Sequence, residues 1–139
     1  MIETSTRRMA SAKLVRAAQF ERLWRVGGWL GVVATLVLSL LTPALGNGTS
    51  HLDKLAHLLG YALLMFWWAQ IVIHQRWKLA LAVVLFGIAV ELLQGLTPNR
   101  LPDLLDALAN SGGVLLGWLA ARRLPNLLQR PVALPALRS

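Results

Sequence analysis

The sequence predicts an all-α, polytopic integral membrane protein with four transmembrane helices and both termini in the cytoplasm. Three observations carry that expectation. First, 56% of the 139 residues are hydrophobic and only 14% are charged, a balance outside the soluble range that bounds the chain at one domain. Second, four apolar segments follow one another with short polar connections between them. None alternates with period two, and a bilayer admits only helices or closed barrels. Third, the basic residues are concentrated in alternate connections, the asymmetry that orients membrane proteins.

A basic segment, residues 1–25, precedes the first apolar run. That run, Val26–Gly46, has no charged residue and provides about 30 Å of helix, enough to cross a bilayer. Ala44-Leu45-Gly46 resembles a secretory cleavage site. The region before the run is too long for a signal peptide, however, and the run exceeds an h-region of about 7–15 residues, so an uncleaved helix is expected. The Arg-rich start resembles a transit peptide, but the hydrophobic span follows too soon for one. The second segment spans Leu52–Ile73, the third Trp77–Leu96 and the fourth Pro102–Ala121. Their connections are a Gly/Asn/Thr/Ser loop at 47–50, a basic turn at 74–76 and TPNRLP at 97–102. The tail, residues 122–139, contains Pro125, Pro131 and Pro135 and is expected to be irregular. The four-helix domain is thus residues 26–121.

Orientation follows from the Lys/Arg distribution. Twelve of the fourteen lie in the N-terminal stretch (Arg7, Arg8, Lys13, Arg16, Arg22, Arg25), the middle connection (Arg76, Lys78) and the tail (Arg122, Arg123, Arg130, Arg138). Only Lys54 and Arg100 belong to the other two connections. Both termini and the middle connection are therefore expected in the cytoplasm. Trp24, Trp29, Trp77 and Trp118 fall near the same membrane face, where interfacial aromatics collect. The net charge of +8 would suit nucleic acid, but no recognition motif accompanies it, and the lipid bilayer is the expected partner. With no cysteine, disulfides and thiolate metal sites are excluded.

Four of the six acidic residues, Asp53, Glu91, Asp103 and Asp106, stand at ends of the apolar segments, and this topology gathers all four in the outer leaflet. Asp53, His57 and Tyr61 share one face of the second helix at i, i+4, i+8 spacing. Glu91 and Gln94 lie one turn apart on the third helix. Asp103, Asp106 and Asn110 share a face of the fourth. Each has a bland reading. Ser50–Asp53 fits a capping box. Asp103 and Asp106 suit the positive end of a helix dipole, and Pro102 suits a first turn. His57, Tyr61, Gln94 and Asn110 can bond across helices, and Gly27/Gly31 and Gly113/Gly117 allow close packing. Glu91, at a helix C-terminus, opposes the dipole and would serve as an ion-pair partner of Lys54 or Arg100.

Together these residues could supply acid and base groups or a proton relay, with His57, Glu91 and Asp106 the catalytic candidates. Lys54 and Arg100, at the rim, could hold the phosphate or carboxylate of an anionic envelope ligand. His57 with carboxylates could bind a metal, but no HExxH or paired-His spacing supports one, so no metal or cofactor is expected. No Ser/His/Asp triad or phosphate loop is evident.

The blocks Asp-Lys-x-x-His-x-x-x-Tyr at Asp53–Tyr61, Glu-x-x-Gln at Glu91–Gln94, and Arg100, Asp103, Asp106, Asn110 with Gly113 or Gly117 occur in order. From Ser50 to Gly117 the chain resembles the VanZ-like family, small bacterial membrane proteins named for a teicoplanin-resistance protein. The resemblance implies a multi-pass protein of the bacterial inner membrane linked to lipoglycopeptide tolerance, without a settled mechanism. The expected function is an outer-leaflet polar pocket that binds or modifies a lipid-linked or cell-envelope molecule. The alternatives are a non-catalytic scaffold and a small proton-coupled transporter subunit; the second is weakened because the polar stripes stop halfway across.

Overall fold

The structure, a computed structural model, describes residues 2–41, 51–96 and 103–128. All its regular structure is helical: α1 (Ile2–Leu41), α2 (His51–Ala69), α3 (Arg76–Gly95) and α4 (Leu104–Arg123). Leu14–Leu41, Arg76–Gly95 and Leu104–Arg123 are long and apolar enough to cross a membrane. In α2 the polar residues Asp53, Lys54 and His57 fall within its first two turns and lower its hydropathy.

Two boundaries differ from expectation. Helix α1 begins at Ile2 and runs for 40 residues, so the basic segment and the first span form one helix. No glycine precedes Gly27 and no proline precedes Pro43, so nothing in that stretch breaks a helix. Helix α2 stops at Ala69 rather than Ile73, followed by a turn in which Ile71 and Val72 donate to the Trp68 carbonyl. Helix α4 ends two residues before Pro125, as a proline's demand on its predecessors requires.

The helices alternate in direction, so two layers of contacts tie their ends. At one end Arg76, opening α3, donates to the carbonyls of Ala69 on α2 (3.3 Å) and Ala121 on α4 (3.0 Å). Gln70 binds the chain after α4 there, taking hydrogen bonds from Asn126 Nδ2 and Leu127 N, each 2.9 Å. Trp24 of α1 stacks on Trp67 of α2 with ring centroids 4.0 Å apart. Each indole N–H donates to the other residue's carbonyl, at 3.1 and 2.8 Å. At the opposite end Gln94 Nε2 of α3 donates to the Ser39 carbonyl of α1 at 2.7 Å.

Helix α2 is central, and its pairing with α4 is the most extensive. A Cβ at Gly113 would collide with the Leu58 carbonyl and one at Gly117 with the Ala62 carbonyl. Only glycine lets the two backbones approach so closely. Met65, Tyr61, Leu64 and Val114 fill the core beside this contact. The buried set also includes His57, Gln70, Glu91, Gln94, Asp106 and Asn110, whereas the outer surface is rich in leucine, among them Leu30, Leu85, Leu92 and Leu115. Polar groups inside and leucine outside are what a hydrocarbon surrounding selects.

Gly117→Val should lower detergent-solubilised stability by about 1–3 kcal/mol through overpacking against a backbone that cannot yield. Gly112→Ala, where a Cβ would meet only Leu58 Cδ1 at 3.6 Å, should be close to neutral. Equal melting of the two variants would contradict the close-packing account.

Candidate functional site

The polar stripes converge at the end of the bundle opposite Arg76. Four helical ends meet there: the start of α2, the end of α3, the start of α4 and, through Ser39, the end of α1. Because α4 packs so tightly on α2, Lys54 Nζ donates to Asp103 Oδ2 at 2.7 Å and to Asp106 Oδ1 at 2.9 Å. Asp106 is only 3% exposed, so this ammonium balances a carboxylate that could not otherwise remain charged there at low cost. Asp103 is the N-cap of α4, accepting the Leu105 N–H at 2.8 Å. It precedes the spanning helix, and the Lys54 ammonium, aided by the Leu105 N–H, holds its carboxyl below the ordinary aspartate range.

Glu91 was expected to pair with Lys54 or Arg100, and Lys54 is engaged by Asp103 and Asp106. Glu91 Oε1 accepts the Asp103 N–H at 2.6 Å. The carboxylate at the C-terminus of α3 therefore faces the N-terminus of α4, and the second helix's dipole favours what its own opposes. Its other oxygen is buried without a hydrogen-bond partner among the described residues. Arg100, the other expected cation, lies outside the described residues, as does Ser50 of the capping box.

His57 lies between Asp53 and Asn110. Its Nδ1 is 3.1 Å from Asn110 Oδ1, and its Nε2 is 3.8 Å from Asp53 Oδ1. Tyr61, one turn on, is buried and its hydroxyl has no partner among the described residues. A Cβ at Gly87 would stand 3.0 Å from the Tyr61 ring and 3.3 Å from Asn110 Cβ. Gly87 thus makes the space for both, a role sequence reasoning missed; its position one turn before Glu91 was the available signal. Gln94 faces α1 through Ser39.

Also missed was a groove of about 580 Å³ between α1 and α2. Gly27, Gly28 and Gly31 of α1 and Gly60 of α2 open it, Leu38, Leu63 and Leu64 give it apolar walls, and Asp53, His57 and Tyr61 line its polar part. It extends along α2 from Trp67 to Leu52, about 22 Å of helix. Its signal was present in the small residues of α1, which read as packing positions. The Gly27 and Gly28 positions do meet Trp67 and Trp68, so both readings hold along different parts of one helix.

Lys54→Gln should destabilise the protein by about 3–5 kcal/mol, because it strands Asp106. Lys54→Gln with Asp106→Asn should recover part of that loss. Chemical denaturation in micelles reads both, and an additive double mutant would show that the pair is not coupled.

No curated protein and no solved structure matches the chain. The family model for VanZ/LLP1 matches residues 2–128, nearly the whole chain and well beyond the stretch that carries the sequence motifs. The chain belongs to the VanZ/LLP1 family.

Proposed function

We propose that this protein binds a lipid-linked or cell-envelope molecule in the outer leaflet of the bacterial inner membrane, and thereby influences sensitivity to teicoplanin-type glycopeptides. The observation that carries the reading is the α1–α2 groove, whose apolar walls lead to Asp53, His57 and Tyr61. An acyl or polyprenyl chain suits such walls, and the polar part suits a headgroup. Lys54 is engaged by Asp103 and Asp106, so a phosphate or carboxylate would be met there by hydrogen-bond donors or by a cation rather than by this ammonium alone.

The reading includes four spans with both termini cytoplasmic. The twelve-to-two Lys/Arg asymmetry and the alternating helix directions support it. Alkaline phosphatase fused at Gly48 or Asn99 should be active, and fusions at Gln75 or Gln129 inactive. Activity at Gln75 would reverse the orientation.

Gly60→Leu tests the groove directly. A Cβ there meets nothing within 4 Å, and Gly60 lines the groove, so a leucine side chain starts into the groove rather than into a packed neighbour. Native mass spectrometry of protein released from nanodiscs should show at least several-fold less retained lipid, with melting unchanged. Equal retention would remove the basis for the proposal.

A scaffold reading is favoured by one observation, the Glu91–Asp103 hydrogen bond that joins α3 to α4. Glu91→Gln and His57→Ala separate the two. Binding function predicts loss of envelope complementation with near-normal melting; a scaffold predicts early melting with complementation retained.

A further inference from the structure

We infer that Tyr61, Glu91 and Asn110 hold one water molecule where α2, α3 and α4 meet, inside the bundle rather than in the groove. Tyr61 is 1% exposed, Glu91 6% and Asn110 2%. Each keeps a fully buried polar atom without a hydrogen-bond partner among the described residues: Tyr61 Oη, Glu91 Oε2 and Asn110 Nδ2. Buried polar groups left unpaired are rare in native proteins. Three from three neighbouring helices point to a common partner.

Gly87 of α3 shows that they converge. A Cβ there would stand 3.0 Å from Tyr61 Cε1, and 3.3 Å from both Tyr61 Cζ and Asn110 Cβ. Cζ carries the hydroxyl, and the Asn110 Cβ carries the amide, so both polar groups start from the same turn of α3. Glu91 lies one turn further along that face. Long helical side chains lean back over the preceding turn, which directs the Glu91 carboxylate towards Gly87. Its charge is near enough to act on the Tyr61 phenol.

The chemistry of the three atoms selects the occupant. The Tyr61 hydroxyl and the Asn110 amide donate, and Glu91 Oε2 accepts. One oxygen with two lone pairs and a proton to give serves all three, and buried waters typically make about three hydrogen bonds. Direct pairing of the phenol with Glu91 would still leave Asn110 over. Turning the Asn110 amide end for end exchanges its oxygen for its nitrogen and again leaves one polar atom over, which the second proton of water then meets. Of the three residues only Tyr61 lines the groove, so the water does not depend on what the groove binds.

Tyr61 is the only tyrosine of the chain, so any tyrosine signal is its own. Brief X-ray radiolysis of the full chain in phosphatidylcholine nanodiscs, in water enriched in heavy oxygen, labels side chains that touch bound water. Wild-type Tyr61 should be labelled despite its burial, a result that needs no variant. Tyr61→Phe should melt several degrees below wild type, the reverse of what deleting a partnerless hydroxyl does. An unlabelled Tyr61, or a folded Tyr61→Phe that melts at or above wild type, would overturn the proposal. Gly60→Leu should keep the label while losing retained lipid. Loss of the label together with the lipid would put a groove ligand's hydroxyl in place of the water and overturn it too, whereas equal lipid retention with the label present would count against the groove alone.

Discussion

Everything at the polar end depends on how closely α2 and α4 approach. Gly113 and Gly117 bring the α4 backbone against the carbonyls of Leu58 and Ala62, and a side chain at either position would push the helices apart. At the wider separation Lys54 would no longer reach both aspartates, nor His57 reach Asn110. The contact is apolar and made of backbone, yet its effect is electrostatic. It places a lysine within hydrogen-bond distance of a carboxylate that would otherwise be stranded in a low dielectric.

A second contact, between α3 and α4, explains why Glu91 is tolerated. A carboxylate at the end of α3 meets an unfavourable dipole from its own helix, but α4 starts beside it and offers the Asp103 N–H. Asp103 then serves three groups at once, giving its N–H to Glu91, one oxygen to Lys54 and the other to Leu105. The arrangement is a relay of backbone and side-chain bonds from α2 through α4 to α3. Polar groups here hold helices together and also line a cavity, so structural and functional readings of single residues overlap.

Much of this was legible in the sequence. Charge placement and helical spacing identified the stripes on α2, α3 and α4, because periodicity reports which residues share a face. Spacing does not report which faces meet, and so Lys54 or Arg100 was offered as the partner of Glu91, while the pairing of Lys54 with Asp103 and Asp106 went unread. The apolar run was read from Val26 because hydropathy marks where the chain enters lipid, whereas helix continuation depends on the absence of breakers, and α1 extends back to Ile2. The groove could not be read at all. It arises where small residues on α1 leave a gap opposite Gly60, and a glycine's spacing looks the same whether it packs tightly or leaves room.

The Lys54 pairing also bears on how the chain is made. In the proposed four-span arrangement, α1, α3 and α4 are apolar enough to enter the bilayer on their own account, but α2 brings Asp53, Lys54 and His57 with it. The residues that neutralise Lys54 are synthesised about 50 positions later, at Asp103 and Asp106. In that arrangement α2 carries Lys54 without its partners until α4 emerges, which disfavours its entering the bilayer alone. Biogenesis is then not a march of independent segments but a delayed closure, in which the last helix completes the residence of the second.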